Sequence, residues 1–320
     1  MMFDRPANDL NIDSFKSIFK EKTGEELSEE VLRKLDLVKE MQGTEYPTYA
    51  LILFSDDSLR SSLFHYAKVE CARFKGTNTE EFIDQKSITT NIATQTEEAY
   101  NFVLRHINKG ASVEGVYTVS RWEYPVKAIR EVIRNAVVHR DYSLTGKDVK
   151  VAIYDDMVEI TSPGLLPPSI DYAAMESRQS DARNKVIAPI FKRLGIIDQW
   201  GNGLKLIADE LKEYPGIELR WKEVGLSFQV QFVNINHNST TDTDVGSDVG
   251  SVGVVGIGMN DSESLLIELI RHNSKITAKE IADTLKLSKR QCERIIANLR
   301  NRGILSRQGT NRTGYWVLTL

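Results

Sequence analysis

The stretch Ala128-Ile129-Arg130-Glu131-Val132-Ile133-Arg134-Asn135-Ala136-Val137-Val138-His139, closed by Arg140-Asp141-Tyr142, decides how the rest of the chain is read. At 100° per residue, Ala128, Ile129, Val132, Ile133, Ala136 and Val137 form a broad apolar face, which predicts an amphipathic helix. Glu131, Asn135 and His139 recur every fourth residue and line one edge of that face. A carboxylate, an amide and an imidazole in register beside a buried surface suit the wall of a cleft. The same pattern also describes an ordinary surface helix whose polar residues meet water, and the helix alone does not choose.

Upstream, residues 8–42 read as helices, with Asp13 or Ser14 capping Phe15–Lys20 and Ser28 opening a second helix that runs through Met41. Tyr49–Phe54 is a short continuous apolar run and reads as a buried strand. Tyr66–Phe74 reads as another strand, Ile92–Ile107 as a helix, and Val113–Trp122 as a strand leading into Tyr124-Pro125. Downstream, Asp148–Tyr154 and Met157–Thr161 alternate around Asp155-Asp156 as a hairpin. Ser162-Pro163-Gly164-Leu165-Leu166-Pro167-Pro168 is an irregular loop, and Asp171–Arg183 is polar, unpatterned and reads as mobile. Val186–Leu194 is a helix, Gly201-Asn202-Gly203 opens another over Leu204–Glu213, and Ile217–Trp221 with Leu226–Phe232 are closing strands.

Length and charge divide the chain further. At 320 residues it exceeds one typical core. Residues 262–320 hold 11 Lys and Arg against 5 Asp and Glu, while the remainder holds 30 against 40. Any polyanion is therefore expected at the basic end. Residues 234–260 lack Lys and Arg, contain five glycines and repeat Asp-Val-Gly-Ser, the composition of a flexible linker. The expected domains are 1–112, an N-terminal helical and α/β segment packing on the body; 113–233, the body; 234–260, the linker; and 261–320, the end module. No apolar run is long enough for a membrane span, and the N-terminus lacks the apolar core of a secretory signal. Two cysteines without paired spacing fit a reducing cytoplasm.

The end module reads as three helices, Glu263–His272, one capped by Thr277, and Lys289–Arg302, followed by short strands at 304–307 and 315–318. That is a winged helix-turn-helix pattern. Lys289, Arg290 and Arg294 fall on the outward side of the third helix, and Arg307 and Arg312 flank the wing, which predicts contacts with double-stranded DNA. Winged helices also bind proteins, so a protein-binding scaffold is the alternative.

Within the body the sequence resembles a known group. Glu131-x-x-x-Asn135, a downstream Gly-Pro-type loop and Gly201-Asn202-Gly203-Leu204 are similar to the ATP site of the gyrase, heat-shock chaperone, histidine kinase and MutL (GHKL) group. More narrowly, Arg130 through Tyr142 resembles the signature of RecG-like, Schlafen-AlbA-associated transcriptional regulators, as do Ser162-Pro163-Gly164, Arg183-Asn184 and Gly201–Gly203. The resemblance covers roughly residues 30–235. It implies an α/β (α+β) two-layer sandwich carrying a C-terminal winged helix, with the family's AlbA domain lacking in this chain.

The resemblance also implies roles. Asn135 would hold Mg²⁺ against the triphosphate of ATP, and Glu131 would orient or deprotonate water, making a weak ATPase conceivable. His139, Ser162, Gly164, Arg183, Asn184, Gly201, Gly203 and Lys205 would complete the nucleotide site, the glycine loop offering backbone N–H groups at a helix start. This chain departs from the group in carrying Ser162 near the place of an adenine-reading Asp, and in an apolar first loop. The functional expectation is a DNA-binding transcriptional regulator whose nucleotide occupancy biases DNA engagement, with homodimerisation as a route. The rival is an ATP-hydrolysing DNA-remodelling enzyme, although the phosphate loop Gly-x-x-x-x-Gly-Lys-Ser/Thr occurs nowhere.

Overall fold

The computed structural model describes residues 5–237 apart from 115–116, 178, 180 and 199–200, then residues 253–255 and parts of 266–318. The chain separates into two compact units, Met1–Gly246 and Ser247–Leu320.

In the first unit, helix α1 (Asp13–Thr23) buries Phe15 and Phe19, and α2 (Glu29–Lys34) starts at Ser28, whose side chain accepts from Val31 N. The helix expected to run through Met41 stops at Lys34. Asp36 and Gln42 adopt positive φ, and β1 (Val38–Met41) turns back on β2 (Thr44–Pro47). The apolar run expected to be a strand is instead helix α3 (Tyr49–Phe54), capped by the Thr48 side chain on Leu51 N. Ala50 to Phe54 are all buried, so no face is left to show a period. A short helix α4 (Ser58–Leu63) follows.

A six-stranded mixed sheet forms the body. Its strands are β3 (Val69–Phe74), β4 (Phe82–Ile88), β7 (Val149–Ile153), β8 (Met157–Pro163), β9 (Ile217–Val224) and β10 (Ser227–Asn234). The order is β9-β10-β8-β7-β3-β4. Every pairing is antiparallel except β3 with β7, where Val69, Cys71 and Arg73 sit opposite Val149, Val151 and Ile153. Two strands of the segment 1–112 thus belong to the same sheet as the segment 113–233. Residues 109–122 form a separate hairpin, β5 (Lys109–Glu114) on β6 (Tyr117–Trp122).

Helices α5 (Ile92–His106), α6 (Val126–Val138) and α8 (Gly203–Leu211) line one sheet face, α6 packing against both its neighbours. Cys71, Val151, Ile160, Val230 and Leu219 point towards them and are buried. On the opposite face β8 and β10 carry polar residues, where Gln229 Nε2 donates to Thr161 Oγ1 at 3.1 Å and Gln231 Nε2 to Glu159 Oε2 at 2.7 Å, while Phe74, Ala152 and Tyr154 form a small buried cluster. The result is the two-layer α/β sandwich that the resemblance implies.

In the second unit, α9 (Ala278–Thr284) begins with a capping box between Thr277 and Glu280. Leu266, Ile270, Ile281, Cys292, Ile296, Leu299, Leu305 and Trp316 form one buried cluster. Strands β12 (Leu305–Gln308) and β13 (Tyr315–Leu318) pair as the wing, and Trp316 Nε1 donates to Ile276 O at 2.8 Å. Most of the linker expected over 234–260 lies outside the described residues, although Gly253–Val255 is a short strand, β11.

Candidate functional site

Helix α6 begins at Pro125, a residue with no N–H to lose. The amides of its second and third residues, Lys127 N and Ala128 N, donate to the Glu210 carboxylate of α8, the former at 3.2 Å. At the other end, Asn184 Nδ2 donates to Val138 O at 2.7 Å and Arg140 O at 2.8 Å, while Tyr142 OH donates to Val137 O at 3.1 Å. Both termini are thus satisfied by partners distant along the chain, which fixes the rotation of α6 about its axis.

That rotation sets Glu131, Asn135 and His139 along a cleft of about 1010 Å³, counted to its open mouth. Ser162 near the end of β8 and Gly164 just after it, with Gly201 ahead of α8 and Gly203 at its start, line it too. Seven of the residues expected from the sequence therefore meet in one place. Val132, Ile160, Ile170, Tyr172 and Phe228 give the cleft an apolar side, wide enough for a planar ring system.

Glu131 is buried, 7% exposed, and its Oε1 accepts from Asn135 Nδ2 at 3.2 Å. Burial raises its carboxyl above the ordinary range, with nearby Arg134 and the Asn135 contact acting against the rise. A Cβ on Gly203 would overlap Glu131 Oε1, so a larger residue there would displace the carboxylate from the backbone of α8. Asn135 spends its amide N–H on Glu131, which leaves a hard amide oxygen for a cation.

His139 lies one turn beyond. Burial, with Arg183 second, lowers its imidazole to about 4, so it is neutral, and its buried Nδ1 has no partner among the described residues. Ser162 Oγ donates to Ala136 O at 2.8 Å, which commits its proton to the helix and keeps its lone pairs as acceptors. Gly164 has φ +111°, and a Cβ there would stand 2.9 Å from Asp141 Cβ and 3.3 Å from Asp141 N. Only glycine fits.

The remaining expected residues sit elsewhere. Arg183 pairs with Asp141 at 3.5 Å and donates to Leu165 O, fastening the loop that follows Gly164. Asn184 is the α6 cap already described. Lys205 points away and pairs with Asp209 at 3.0 Å. Arg140 is 1% exposed and does not pair with Asp141. Its guanidinium lies 5.0 Å from the Tyr66 ring centre and 5.1 Å from that of Tyr142, with Nη2 donating to Leu144 O and Lys147 O.

Sequence reasoning missed the cleft residues Tyr172, Lys192 and Asp198. Tyr172 belongs to the stretch read as mobile, yet it is buried in a 3₁₀ turn with its ring 4.9 Å from Phe228 and 5.8 Å from Trp221. It is the one aromatic in that polar segment, a signal that was present. Of the expected DNA contacts, Lys289, Arg290, Arg294 and Arg312 lie outside the described residues. Arg307 is placed on β12, its guanidinium 4.8 Å from the Trp316 ring centre.

Comparison with known proteins agrees with this architecture. Residues 146–232 match the family model described as "Putative ATP-dependent DNA helicase recG C-terminal". Residues 259–306 match the model described as "Winged helix-turn-helix DNA-binding". The chain therefore carries an ATPase-like domain of the recG C-terminal type and a C-terminal winged-helix DNA-binding domain, as the resemblance implied. The crystal structure of the DIP2311 protein from Corynebacterium diphtheriae is similar in fold, with a TM-score of 0.57 and 18% sequence identity. The alignment covers 99% of this chain and 63% of that one. No curated protein matches the chain. Among the described residues, no helix is long and apolar enough to cross a membrane.

Proposed function

We propose that the protein is a DNA-binding transcriptional regulator whose body binds a nucleotide, with occupancy of the cleft modulating engagement of double-stranded DNA by the end module. The observation that carries this reading is the convergence of Glu131, Asn135, His139, Ser162, Gly164, Gly201 and Gly203 on one cleft. Ser162, Gly164, Gly201 and Gly203 lie within the residues that match the ATPase-like model, in a chain that also carries a winged helix. ATP and Mg²⁺ fit the donor set: the apolar side receives the base, and the Asn135 amide oxygen would ligate the ion. Bound there, Mg²⁺ would neutralise phosphate charge.

Calorimetric titration with ATP and Mg²⁺ tests the nucleotide half. Saturable, Mg²⁺-dependent binding that Asn135→Ala abolishes supports it, and absence of heat from the parent chain refutes it. DNA affinity, followed by fluorescence anisotropy, should fall steeply with salt and change on adding nucleotide. Equal DNA affinity with and without saturating ATP would remove the modulation. Salt-insensitive or absent DNA binding would instead favour a protein-binding scaffold.

A second reading, turnover of the nucleotide, is favoured by the buried Glu131 carboxyl one turn before Asn135, whose raised proton affinity suits a general base. Phosphate release stimulated by DNA and lost in Glu131→Gln would support it.

A further inference from the structure

The cleft opens at one end into a second groove, which shares Glu131, Lys192 and Asp198 with it and adds Arg134 of α6. Its acids are engaged. Glu131 accepts from Asn135, and Asp198 Oδ1 accepts from Asn202 N at 3.1 Å. Its cations are not: neither Arg134 nor Lys192 has a hydrogen bond or ion pair among the described residues. Their neighbours differ, since Arg130 pairs with Glu97 at 2.9 Å, Arg193 with Glu25 and Lys205 with Asp209.

Arg134 is half-buried on the helix that carries Glu131 and Asn135. Partial burial and the neighbouring Arg130 both disfavour its charge, and Glu131 and Glu97 offset them only through attraction without a direct contact, a deficit that a bound anion would return. Arg134 reaches the groove from α6, and Lys192 reaches it from α7 (Ile187–Arg193). Two independent elements thus present cations with no direct hydrogen bond or ion pair among the described residues at one mouth of a cleft with an apolar side.

We infer that Arg134 and Lys192 form a phosphate subsite that receives the distal phosphates of a nucleoside di- or triphosphate whose base lies in the main cleft. This rests on the nucleotide reading above and extends it, because it moves phosphate recognition from Lys205, paired with Asp209, to two residues on other helices. A guanidinium donates to two phosphate oxygens at once, while an ammonium supplies a mobile point charge, a combination suited to a flexible chain of phosphates.

The test titrates the full-length chain with adenosine, AMP, ADP, ATP and inorganic tripolyphosphate, and repeats the series with Arg134→Gln, Lys192→Gln and both together. Circular dichroism melts establish that each variant is folded, and Arg134→Lys checks for partial recovery. The expected result is a rise in affinity from AMP to ATP in the parent. The double variant should lose about 10–100-fold for ADP and ATP, from the loss of charge-assisted hydrogen bonds, while adenosine binding is unchanged. Unchanged ATP affinity in a folded double variant, with adenosine still bound, overturns the subsite and leaves the nucleotide reading standing. Tripolyphosphate binding lost in the double variant, with no binding of adenosine or ATP to the parent, keeps the subsite and removes the nucleotide reading. Failure of the parent to bind any of the five ligands removes both.

Discussion

Gly164→Ala is the substitution whose cost can be worked furthest from the structure. The residue has φ +111°, a conformation that an L side chain rarely adopts, and forcing it there costs about 1–3 kcal/mol. The new Cβ would also stand 2.9 Å from Asp141 Cβ and 3.3 Å from Arg183 Cζ. Asp141 has little freedom to retreat. Its backbone N donates to Pro163 O at 2.7 Å, and its carboxylate accepts from Ser143 N and Oγ at 2.9 and 2.6 Å. Overpacking of this kind adds about 1–3 kcal/mol.

The sum, about 2–6 kcal/mol, is a large share of the 5–15 kcal/mol that holds a typical domain together. For a unit of this size it corresponds to a fall of about 4–24 °C in Tm. Thermal unfolding followed by circular dichroism reads it directly. Gly146→Ala serves as control, because a Cβ there meets nothing within 4 Å. If Gly164→Ala melts within about 1 °C of the parent, the close approach of the β8 end to Asp141 is not what selects glycine, and the account of this wall of the cleft is wrong.

Three further outcomes are expected. Asn184→Ala leaves Val138 O and Arg140 O without their donor and should destabilise the first unit by about 1–3 kcal/mol in urea titrations. A neutral result there would mean that the end of α6 is held otherwise. His139 is depressed to about 4 from 6.5, so between those values the unfolded chain binds more protons; stability is full above pH 6.5 and falls towards pH 4. That loss should not exceed about 1.4 kcal/mol per pH unit, and it should shrink in His139→Gln when denaturant midpoints are compared across the window. Burial pushes the Cys71 thiol up to about 12, so at pH 8 Cys71 should resist iodoacetamide in the native protein and react only in denaturant, as read by mass spectrometry.

How much of this was readable in the residues depended on whether burial left a pattern. Helix α6 was legible because one face is apolar and the other polar, so a 3.6-residue period survives. The cleft residues on it followed from that period. Tyr49–Phe54 defeated the same method, since a helix buried all round and a central strand look alike, and the Thr48 cap was the only discriminating sign. The exposed edge strand β4 has the opposite problem: Phe82 to Gln85 are all exposed, and with no buried face there is no alternation to find. Lys205 and Asn184 show a third limit. A sequence reports that a cation or an amide is near a motif, but not whether a neighbour such as Asp209, or an open helix end, has already engaged it.

The parallel pairing of β3 with β7 has a consequence for how the protein is made. Val69 waits for Val149, and at a synthesis rate of about 5–20 residues per second the wait is roughly 4–16 s. During that interval β3, β4 and α5 have left the ribosome, yet the strand that completes their sheet does not exist. The nascent hairpin presents the bare edge of β3, carrying Val69 and Cys71, beside the apolar side of α5. A chain halted before β7 is therefore a template for pairing with another such chain, and folding of the body is a late event that begins only once the central sheet can close.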